Sequence, residues 1–334
     1  MKKTITTFFM LLCTFFAFAQ DEAVNTNKWI ETYEGLNASK DWNSMLSQAA
    51  TCKAEVPNWE FVHYYEGLAN FNLKNYQNAI NSFNQFIEKN TATPAAYLYR
   101  ANSYLEIKEA DFAIRDYDTY LQTNPNDVSV MLNKAQARMI KKDFANYIAD
   151  LTAVLAIEPM NVAALSNRAS AYAMQKNWQA VVADLTSALA IEQKADFYYD
   201  RGFANYSMKT AESLQAAVAD FAQAESLGMK SEKLFNSSAT CNKALKNFEQ
   251  EAADYTKLIE LNANNEKYYY NRGVALFKAN KFQEALADFS KAIELKPDYV
   301  NAYKYRANTY GKLGDKKLQA EDAAKVKELQ GPAK

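Results

Sequence analysis

Residues 285–297 read ALADFSKAIELKP, and related stretches recur along the chain. Residues 113–125 read AIRDYDTYLQTNP, and residues 147–159 read YIADLTAVLAIEP. Residues 181–193, VVADLTSALAIEQ, share the pattern but lack the closing proline. Upstream of these copies lie aromatic-rich stretches with one arginine, such as YYNRGVALF at residues 269–277. The chain is therefore a tandem repeat, and the period of the repeat decides the fold.

The repeat is about 34 residues long and contains two helical patterns joined by a short polar turn. The second pattern places a large apolar residue three positions before a smaller one, as in Phe289 and Ala292, so that both lie on one buried stripe. A proline closes four copies, at Pro57, Pro125, Pro159 and Pro297, because it cannot continue a helix. The repeats, numbered one to nine, begin at Thr26, Glu60, Pro94, Val128, Val162, Ala195, Glu232, Glu266 and Val300.

This pattern resembles the tetratricopeptide repeat (TPR) family. The residues that match the consensus of that family, each in its own repeat, are Trp29, Gly67, Tyr104, Ala285, Phe289, Ala292 and Pro297. The resemblance implies an all-α fold, a right-handed α-solenoid (superhelix) of about nine tandem helix-turn-helix units over residues 26–333. We expect the last unit to act as a C-terminal cap, because a solenoid needs a polar outer face at its end.

Composition excludes several functional classes. The 334 residues carry a formal net charge of -1, which argues against nucleic-acid binding because that function needs clustered lysine and arginine. Glycine and proline, at 8 and 6 residues, are too few for a turn-rich β fold. His63 is the only histidine, which excludes a site built from several imidazoles. The phosphate-binding motifs G-x-x-x-x-G-K-[ST] and G-x-G-x-x-G do not occur in the sequence. We therefore predict no enzymatic activity, no cofactor and no metal site.

The first residues predict export. Residues 1–19 combine two lysines, an apolar run and an Ala-Phe-Ala end, which is the pattern of a cleaved secretory signal peptide. The apolar run is shorter than a membrane-spanning helix requires. We predict that the mature chain starts at Gln20 with a linker over residues 20–25. It has no integral membrane span and resides in the periplasm or is secreted.

An arginine in the first helix and an aspartate in the second recur together in five repeats. The spacing is 16 residues in four repeats and 19 in the sixth. We predict structural ion pairs between the two helices, because repetition in five units favours a structural use over a functional site. The predicted pairs are Arg100 with Asp116, Arg168 with Asp184, Arg201 with Asp220, Arg272 with Asp288 and Arg306 with Asp322.

The TPR resemblance also implies a partner-binding concave face lined by first helices. By position in the repeat, the predicted lining residues are Tyr64, Leu68, Phe71, Leu98, Asn102, Ser166, Asn167, Ser170, Tyr199, Phe203, Tyr206, Tyr270, Asn271, Lys304 and Asn308. This lining is aromatic and rich in amides, which suits an extended peptide or a sugar chain. The alternative is that several of these aromatic residues pack between neighbouring repeats.

Four other features have a structural and a functional interpretation. We expect His63 to be a packed interior residue and Cys52 to lie in the core. The two mature cysteines, Cys52 and Cys241, lie too far apart in the repeat order to form a disulfide. Asp196 and Asp200 lie one helical turn apart and suit either a cation or, as we expect, a solvated helix start.

The favoured function is a non-catalytic protein–protein interaction scaffold in the bacterial cell envelope. Its expected partners are other envelope proteins or an extended peptide segment, held along the concave face. The alternative is a binding protein for cell-wall glycan or polysaccharide. An enzyme is the third possibility, because repeat arrays are sometimes fused to catalytic domains, but it is disfavoured since no such domain lies outside the repeats in this sequence.

Overall fold

The computed structural model describes residues 23–331. The predicted signal peptide and the predicted start of the mature chain at Gln20 lie outside the described residues. Residues 23–331 contain helices and turns and no strand, which confirms the predicted all-α class. No helix among these residues has the length and apolar character needed to cross a membrane. The chain divides into two compact bodies, whose described residues are 23–159 and 160–331.

The N-terminal body contains nine helices among its described residues, packed in chain order from α4 onward. Helix α1 covers residues 23–39, so that residues 23–25, assigned above to a linker, are helical. The helices that follow are α2 (Trp42–Ser47), α3 (Ala49–Glu55), α4 (Phe61–Asn72), α5 (Tyr76–Lys89), α6 (Pro94–Glu106), α7 (Ala110–Thr123), α8 (Val128–Ile140) and α9 (Phe144–Ile157).

The C-terminal body continues the alternation of first and second helices through residue 330. Its helices are α10 (Val162–Met174), α11 (Trp178–Ile191), α12 (Ala195–Met208), α13 (Ala211–Ser226), α14 (Glu232–Ala244), α15 (Phe248–Leu261), α16 (Glu266–Lys278), α17 (Phe282–Leu295), α18 (Val300–Leu313) and α19 (Lys316–Gln330). In both bodies the first helices from repeat three onward begin at the residue that opens the sequence repeat, whereas α4 begins one residue later, at Phe61.

The two helices of each repeat cross closely at the small residue of the first helix. A Cβ atom placed on Gly67 would lie 2.7 Å from the ring of Phe83, and one on Gly273 would lie 2.7 Å from the ring of Phe289. These distances are shorter than van der Waals contact, so only a small residue fits on the first helix opposite the large residue of the second helix. Phe83 and Phe289 are fully buried at these crossings.

The turn between the two helices of a repeat has a residue in the left-handed region of backbone space. This residue is glycine only in repeat nine, where Gly314 has φ of 85°. In the other repeats the residues are Lys40, Lys74, Lys108, Lys142, Lys176, Lys209, Lys246 and Asn280, with φ between 57° and 64°. The left-handed residue ends the first helix and reverses the chain, so that the second helix packs back along the first.

Repeat one departs from the pattern because its small position is occupied by Tyr33. This side chain is fully buried and stacks on Tyr65 of α4 with ring centroids 4.9 Å apart. The second helix of the repeat is broken into α2 and α3, and Cys52 of α3 is buried in the same cluster. Buried Cys52 agrees with the expectation of a core position.

Candidate functional site

The predicted ion pairs are present as a ladder of arginine and aspartate side chains across the two helices of a repeat. In each pair the guanidinium donates through both Nε and Nη2 to the two carboxylate oxygens. The shortest N···O distances are 2.6 Å for Arg100–Asp116, 2.6 Å for Arg168–Asp184, 2.6 Å for Arg201–Asp220, 2.7 Å for Arg272–Asp288 and 2.8 Å for Arg306–Asp322. Hydrogen bonding to the Asp288 carboxylate raises the pKa of the Arg272 guanidinium.

Sequence reasoning missed two further members of this ladder. Lys134 of repeat four lies at the arginine position, and its Nζ is 3.0 Å from Asp150 Oδ1 and 3.2 Å from Asp118 Oδ1. Repeat seven keeps the acid, Asp254, but has Ser238 at the arginine position. A search for arginine alone overlooks both repeats, although the 16-residue spacing to the aspartate is retained in each.

Several predicted partner-binding residues are buried in the chain itself. Leu68 is 5% exposed and Tyr199 is 4% exposed, so the assignment of these two side chains to a binding face was wrong. Tyr199 packs on Phe221, with ring centroids 5.7 Å apart, and Lys233 Nζ lies 4.3 Å from its ring centroid. The physical reason is that α13 and α14 cover this face of α12.

Other predicted residues hold neighbouring helices together. Tyr270 is half-buried against Tyr305 of the next repeat at 5.7 Å, and Phe71 contacts Tyr99 at 5.4 Å. Asn102 accepts a hydrogen bond of 2.7 Å from the hydroxyl of buried Tyr117. Here the alternative interpretation applies, in which the aromatic residues pack between repeats.

The remaining predicted residues differ in exposure. Tyr64, Leu98, Tyr206 and Asn271 are half-buried, whereas Lys304 and Asn308 are exposed. Tyr64 lies 5.4 Å from Phe86, and burial raises its pKa to about 12. Because Leu98 and Tyr206 also pack against core clusters, most of this set supports the fold rather than an open binding face.

One group of predicted residues does line an open groove, between α10 and α12 with α11 as its floor. This groove, of about 540 Å³, is called the Phe203 groove below. Ser166, Asn167 and Ser170 lie along the α10 wall, and Phe203 lies on the α12 wall. The remaining lining residues are Ala169, Ala173, Met174, Trp178, Val181, Leu185, Asp196, Phe197 and Asp200.

The apolar part of the Phe203 groove is open to solvent. Phe203 is 40% exposed and Met174 is 56% exposed. The ring of Phe203 meets Trp178 of α11 edge-on, with centroids 6.1 Å apart. Trp178 begins α11 directly after the left-handed turn residue Lys176 and Asn177, whose side chain caps the helix by accepting from Ala180 N. The rings of Phe203 and Trp178 therefore line the groove in contact with each other.

The polar part of the Phe203 groove offers donors and acceptors to a ligand. The hydroxyls of Ser166 and Ser170 donate to backbone carbonyls of α10 at 3.2 Å and 3.0 Å, which leaves their oxygens free to accept. Asn167 is exposed, and its amide makes no hydrogen bond to any residue in 23–331. An asparagine side chain has both donors and an acceptor, so it can donate to a backbone C=O and accept from a backbone N–H of the same partner segment.

Two acids stand on the α12 wall of the Phe203 groove. Asp196 lies in the first turn of α12, and Asp200 lies one turn later. Surrounding protein atoms desolvate the Asp200 carboxyl and raise its pKa, whereas Lys233 acts in the opposite direction and Asp196 adds to the rise. A cationic group placed here would relieve the repulsion between the two carboxylates.

The other candidates have structural environments. His63 Nδ1 lies 3.2 Å from Glu66 Oε2, and burial together with Lys53 lowers the pKa of His63. Cys52 and Cys241 are both buried free thiols. Among residues 23–331 no group of three or more histidine, cysteine or acidic residues is placed to hold a metal ion.

Comparisons with known proteins agree with the helical pairs and their crossings. Tetratricopeptide repeat family models match residues 64–128 and residues 266–299. The C-terminal part of a TPR repeat-containing protein from Cytophaga hutchinsonii is similar in structure with a TM-score of 0.54 and 18% identity, over 72% of this chain and 97% of that one. The chain therefore carries tetratricopeptide repeats.

Two other solved TPR structures are similar over part of this chain. One is from Parabacteroides merdae ATCC 43184, with a TM-score of 0.45 and 17% identity over 72% of this chain and 94% of that chain. The other is YrrB, described as a TPR protein with an unusual peptide-binding site, with a TM-score of 0.45 and 22% identity over 54% of this chain and 92% of that chain. No curated protein sequence matches the chain.

Proposed function

We propose that this TPR protein is a non-catalytic scaffold that binds an extended segment of a partner protein in the Phe203 groove. TPR proteins in general are protein–protein interaction scaffolds. The observation that carries the assignment to this groove is the exposed pair Phe203 and Met174 beside the unpaired amide of Asn167. Apolar side chains that stay open to water next to unpaired polar groups are typical of a surface that a partner covers.

Some groove residues would make apolar contacts with the bound segment, and others would make polar contacts with it. Phe203, Met174 and Trp178 offer the apolar surface on which one or two side chains of the segment would be buried. Asn167 would pair with a peptide group of the segment, and the oxygens of Ser166 and Ser170 would accept from its N–H groups. This division favours an extended segment, because a helix would leave those polar groups of the groove unpaired.

We further propose that the partner is a protein of the cell envelope. This part of the proposal rests on the N-terminal sequence, which combines the two lysines, the apolar run and the Ala-Phe-Ala site. It is therefore independent of the groove, and its test is the mature N-terminus described in the Discussion.

Affinity capture from an envelope extract tests the groove. The immobilised chain is compared with a variant that carries Phe203→Ala and Met174→Ala. The matched control is Phe112→Ala, because Phe112 is 43% exposed on α7 and lies outside the groove. We expect the double variant to capture at least tenfold less of the partner than the Phe112→Ala chain does. The reason is that one buried aromatic anchor contributes about 2 kcal/mol to an interface.

Two outcomes would contradict the proposal. Equal loss in the groove variant and in the Phe112→Ala control would mean that the aromatic residues act through stability, which the melting temperature of each variant reports. Retention of the chain on insoluble cell wall, lost with Trp178→Ala, would instead favour the glycan alternative, because an indole that lines an open groove can stack on a sugar ring.

A further inference from the structure

The ladder arginines share one environment, for which Arg272 serves as the example. Its Nε and Nη2 donate to Asp288 at 2.8 Å and 2.7 Å. Its Nη1 donates to Thr256 Oγ1, on the second helix of the preceding repeat, at 3.1 Å. The guanidinium carbon lies 5.8 Å from the ring centroid of Tyr269, three residues earlier in the same helix. The guanidinium site therefore has an acid, an acceptor on the preceding repeat and an aromatic ring.

The same site recurs in other repeats with the same three kinds of contact. Arg100 uses Asp116, Asn84 and Tyr97, and Arg306 uses Asp322, Ser290 and Tyr303. The side chains of the ladder arginines keep between 16% and 23% of their surface exposed. Solvent therefore reaches the position of the guanidinium in these repeats.

Repeat seven has this site without the arginine. Ser238 replaces the arginine, Asp254 is the acid, Phe235 is the ring three residues earlier, and Ala222 stands where the preceding repeat supplies its acceptor. All four residues line one cavity of about 260 Å³, called the Ser238 cavity below. Its other lining residues are Val218, Phe221, Glu225, Asn242, Gln250, Ala253 and Lys257. Part of the space that a guanidinium fills elsewhere is therefore open here, while the Lys257 ammonium lies at the ring of Phe235.

The acid of this cavity has spare hydrogen-bonding capacity. Asp254 is only 6% exposed, and its Oδ2 accepts from Ser238 Oγ at 2.8 Å and from Asn242 Nδ2 at 2.9 Å. No residue in 23–331 donates to its Oδ1. Burial raises the pKa of Asp254, although the hydrogen bonds from Ser238 and Asn242 and the charge of Lys257 act in the opposite direction.

The charges in the cavity leave room for one more cation. Lys257 Nζ is paired with Glu225 Oε2 at 2.6 Å and lies 5.3 Å from the ring centroid of Phe235. Its ammonium makes no ion pair within 4.0 Å with Asp254 among residues 23–331. Glu225, Asp254 and Lys257 together carry one negative charge when all three are ionised. A ligand with one positive charge would therefore complement the cavity.

We propose that the Ser238 cavity binds the guanidinium of an arginine side chain presented by a partner protein. An arginine is favoured over a lysine because its planar fork can donate to both oxygens of a carboxylate while its face packs on an aromatic ring. This is the arrangement that the chain's own arginines adopt in five repeats. That the arginine is carried by a protein rests on the proposed scaffold function, whereas recognition of the guanidinium does not.

Binding of blocked arginine tests the cavity without any knowledge of the partner. The probe is N-acetyl-arginine methylamide, titrated into the full mature chain and followed by NMR shifts of labelled side-chain amides, including that of Asn242. The matched probes are the corresponding lysine compound and the uncharged citrulline compound. We expect the arginine probe to bind at least tenfold more tightly than the citrulline probe and more tightly than the lysine probe.

Two substitutions assign the binding to the cavity. Ser238→Arg should restore the missing ladder pair with Asp254, raise the melting temperature and abolish probe binding. The control Thr240→Arg adds the same charge at an exposed position of α14 and should leave probe binding unchanged. Asp254→Asn should weaken probe binding at least tenfold, and it decides the question if the Ser238→Arg chain does not fold.

Equal affinity for the arginine and citrulline probes, or probe binding that survives both Ser238→Arg and Asp254→Asn, would overturn the proposal. The Phe203→Ala and Met174→Ala variant should bind the arginine probe as the parent chain does, because neither residue lines the Ser238 cavity. Failure of the Phe203 groove and failure of the Ser238 cavity are therefore distinguishable.

Discussion

Removal of one ladder partner should cost more stability than removal of a surface charge. Asp288 is 5% exposed and receives two charge-assisted hydrogen bonds, of 2.8 Å and 2.7 Å, from Arg272. Breaking a buried pair costs about 3–5 kcal/mol, whereas an exposed pair contributes about 0–1 kcal/mol. Because the Arg272 side chain is 23% exposed, water can partly replace it, and we expect Arg272→Leu to cost about 3 kcal/mol.

The direct pair is isolated by a double-mutant cycle. We expect Asp288→Asn alone to cost about 2 kcal/mol, since the arginine that remains can turn toward water. The double variant should cost about 3 kcal/mol rather than the additive value of about 5 kcal/mol, which gives a coupling energy of about 2 kcal/mol. The assay is urea unfolding followed by circular dichroism, with equal m values as the condition for comparing the four chains.

The control cycle uses Lys291 and Glu294, whose charged atoms are 2.6 Å apart, against 2.7 Å for Arg272 and Asp288, but whose side chains are 40% and 67% exposed. We expect no measurable coupling there. Additive losses in the Arg272–Asp288 cycle, or equal coupling in the two cycles, would refute the reasoning that burial makes the ladder pair strong.

Three further predictions concern other parts of the molecule. Glu251 is 2% exposed, its Oε2 has no hydrogen-bond partner in residues 23–331, and burial raises its pKa from the ordinary 4.5. A raised pKa means that ionised Glu251 destabilises the folded state, so Glu251→Gln should stabilise the fold by about 1–2 kcal/mol at pH 7.5. This gain should disappear as the pH falls below the pKa of Glu251 in the unfolded chain. Urea unfolding at several pH values measures both effects. Lys108 has φ of 64°, so Lys108→Gly should raise stability by about 0.5 kcal/mol in the same assay while Lys108→Ala should not. Intact-mass analysis of the exported protein should find a chain starting at Gln20, and recovery of the full-length chain in membranes would contradict export.

The sequence was sufficient for the repeat and the ladder because both depend on spacing. A 34-residue period and a recurring arginine and aspartate appear in the sequence whatever the surroundings of each repeat. The identity of the exposed residues depends instead on which neighbouring helix covers them. Tyr199 and Phe203 lie one turn apart on α12, yet α13 and α14 cover Tyr199 and leave Phe203 40% exposed.

The floor of the Phe203 groove was missed for a related reason. Trp178, Val181 and Leu185 belong to a second helix, and the family resemblance assigns binding to first helices only. A large aromatic residue directly after the polar turn of repeat five was the available signal. The missing arginine of repeat seven was also visible in the sequence, but its meaning required the cavity and the spare oxygen of Asp254.

The hydrogen bond that Nη1 of a ladder arginine donates to the preceding repeat affects how the chain unfolds under force or on heating. Through Nη1, Arg272 and Arg306 fasten each repeat to the second helix of the one before it. In a tandem array the strength of such neighbour links decides whether the repeats melt together or singly. Between repeats six and seven the arginine and its acceptor are replaced by Ser238 and Ala222, and the ion pair of Lys257 with Glu225 joins the two repeats instead. An arginine bound at Ser238 would add the missing hydrogen-bonded link, so a partner that supplies one should strengthen this junction of the C-terminal body and raise its resistance to unfolding.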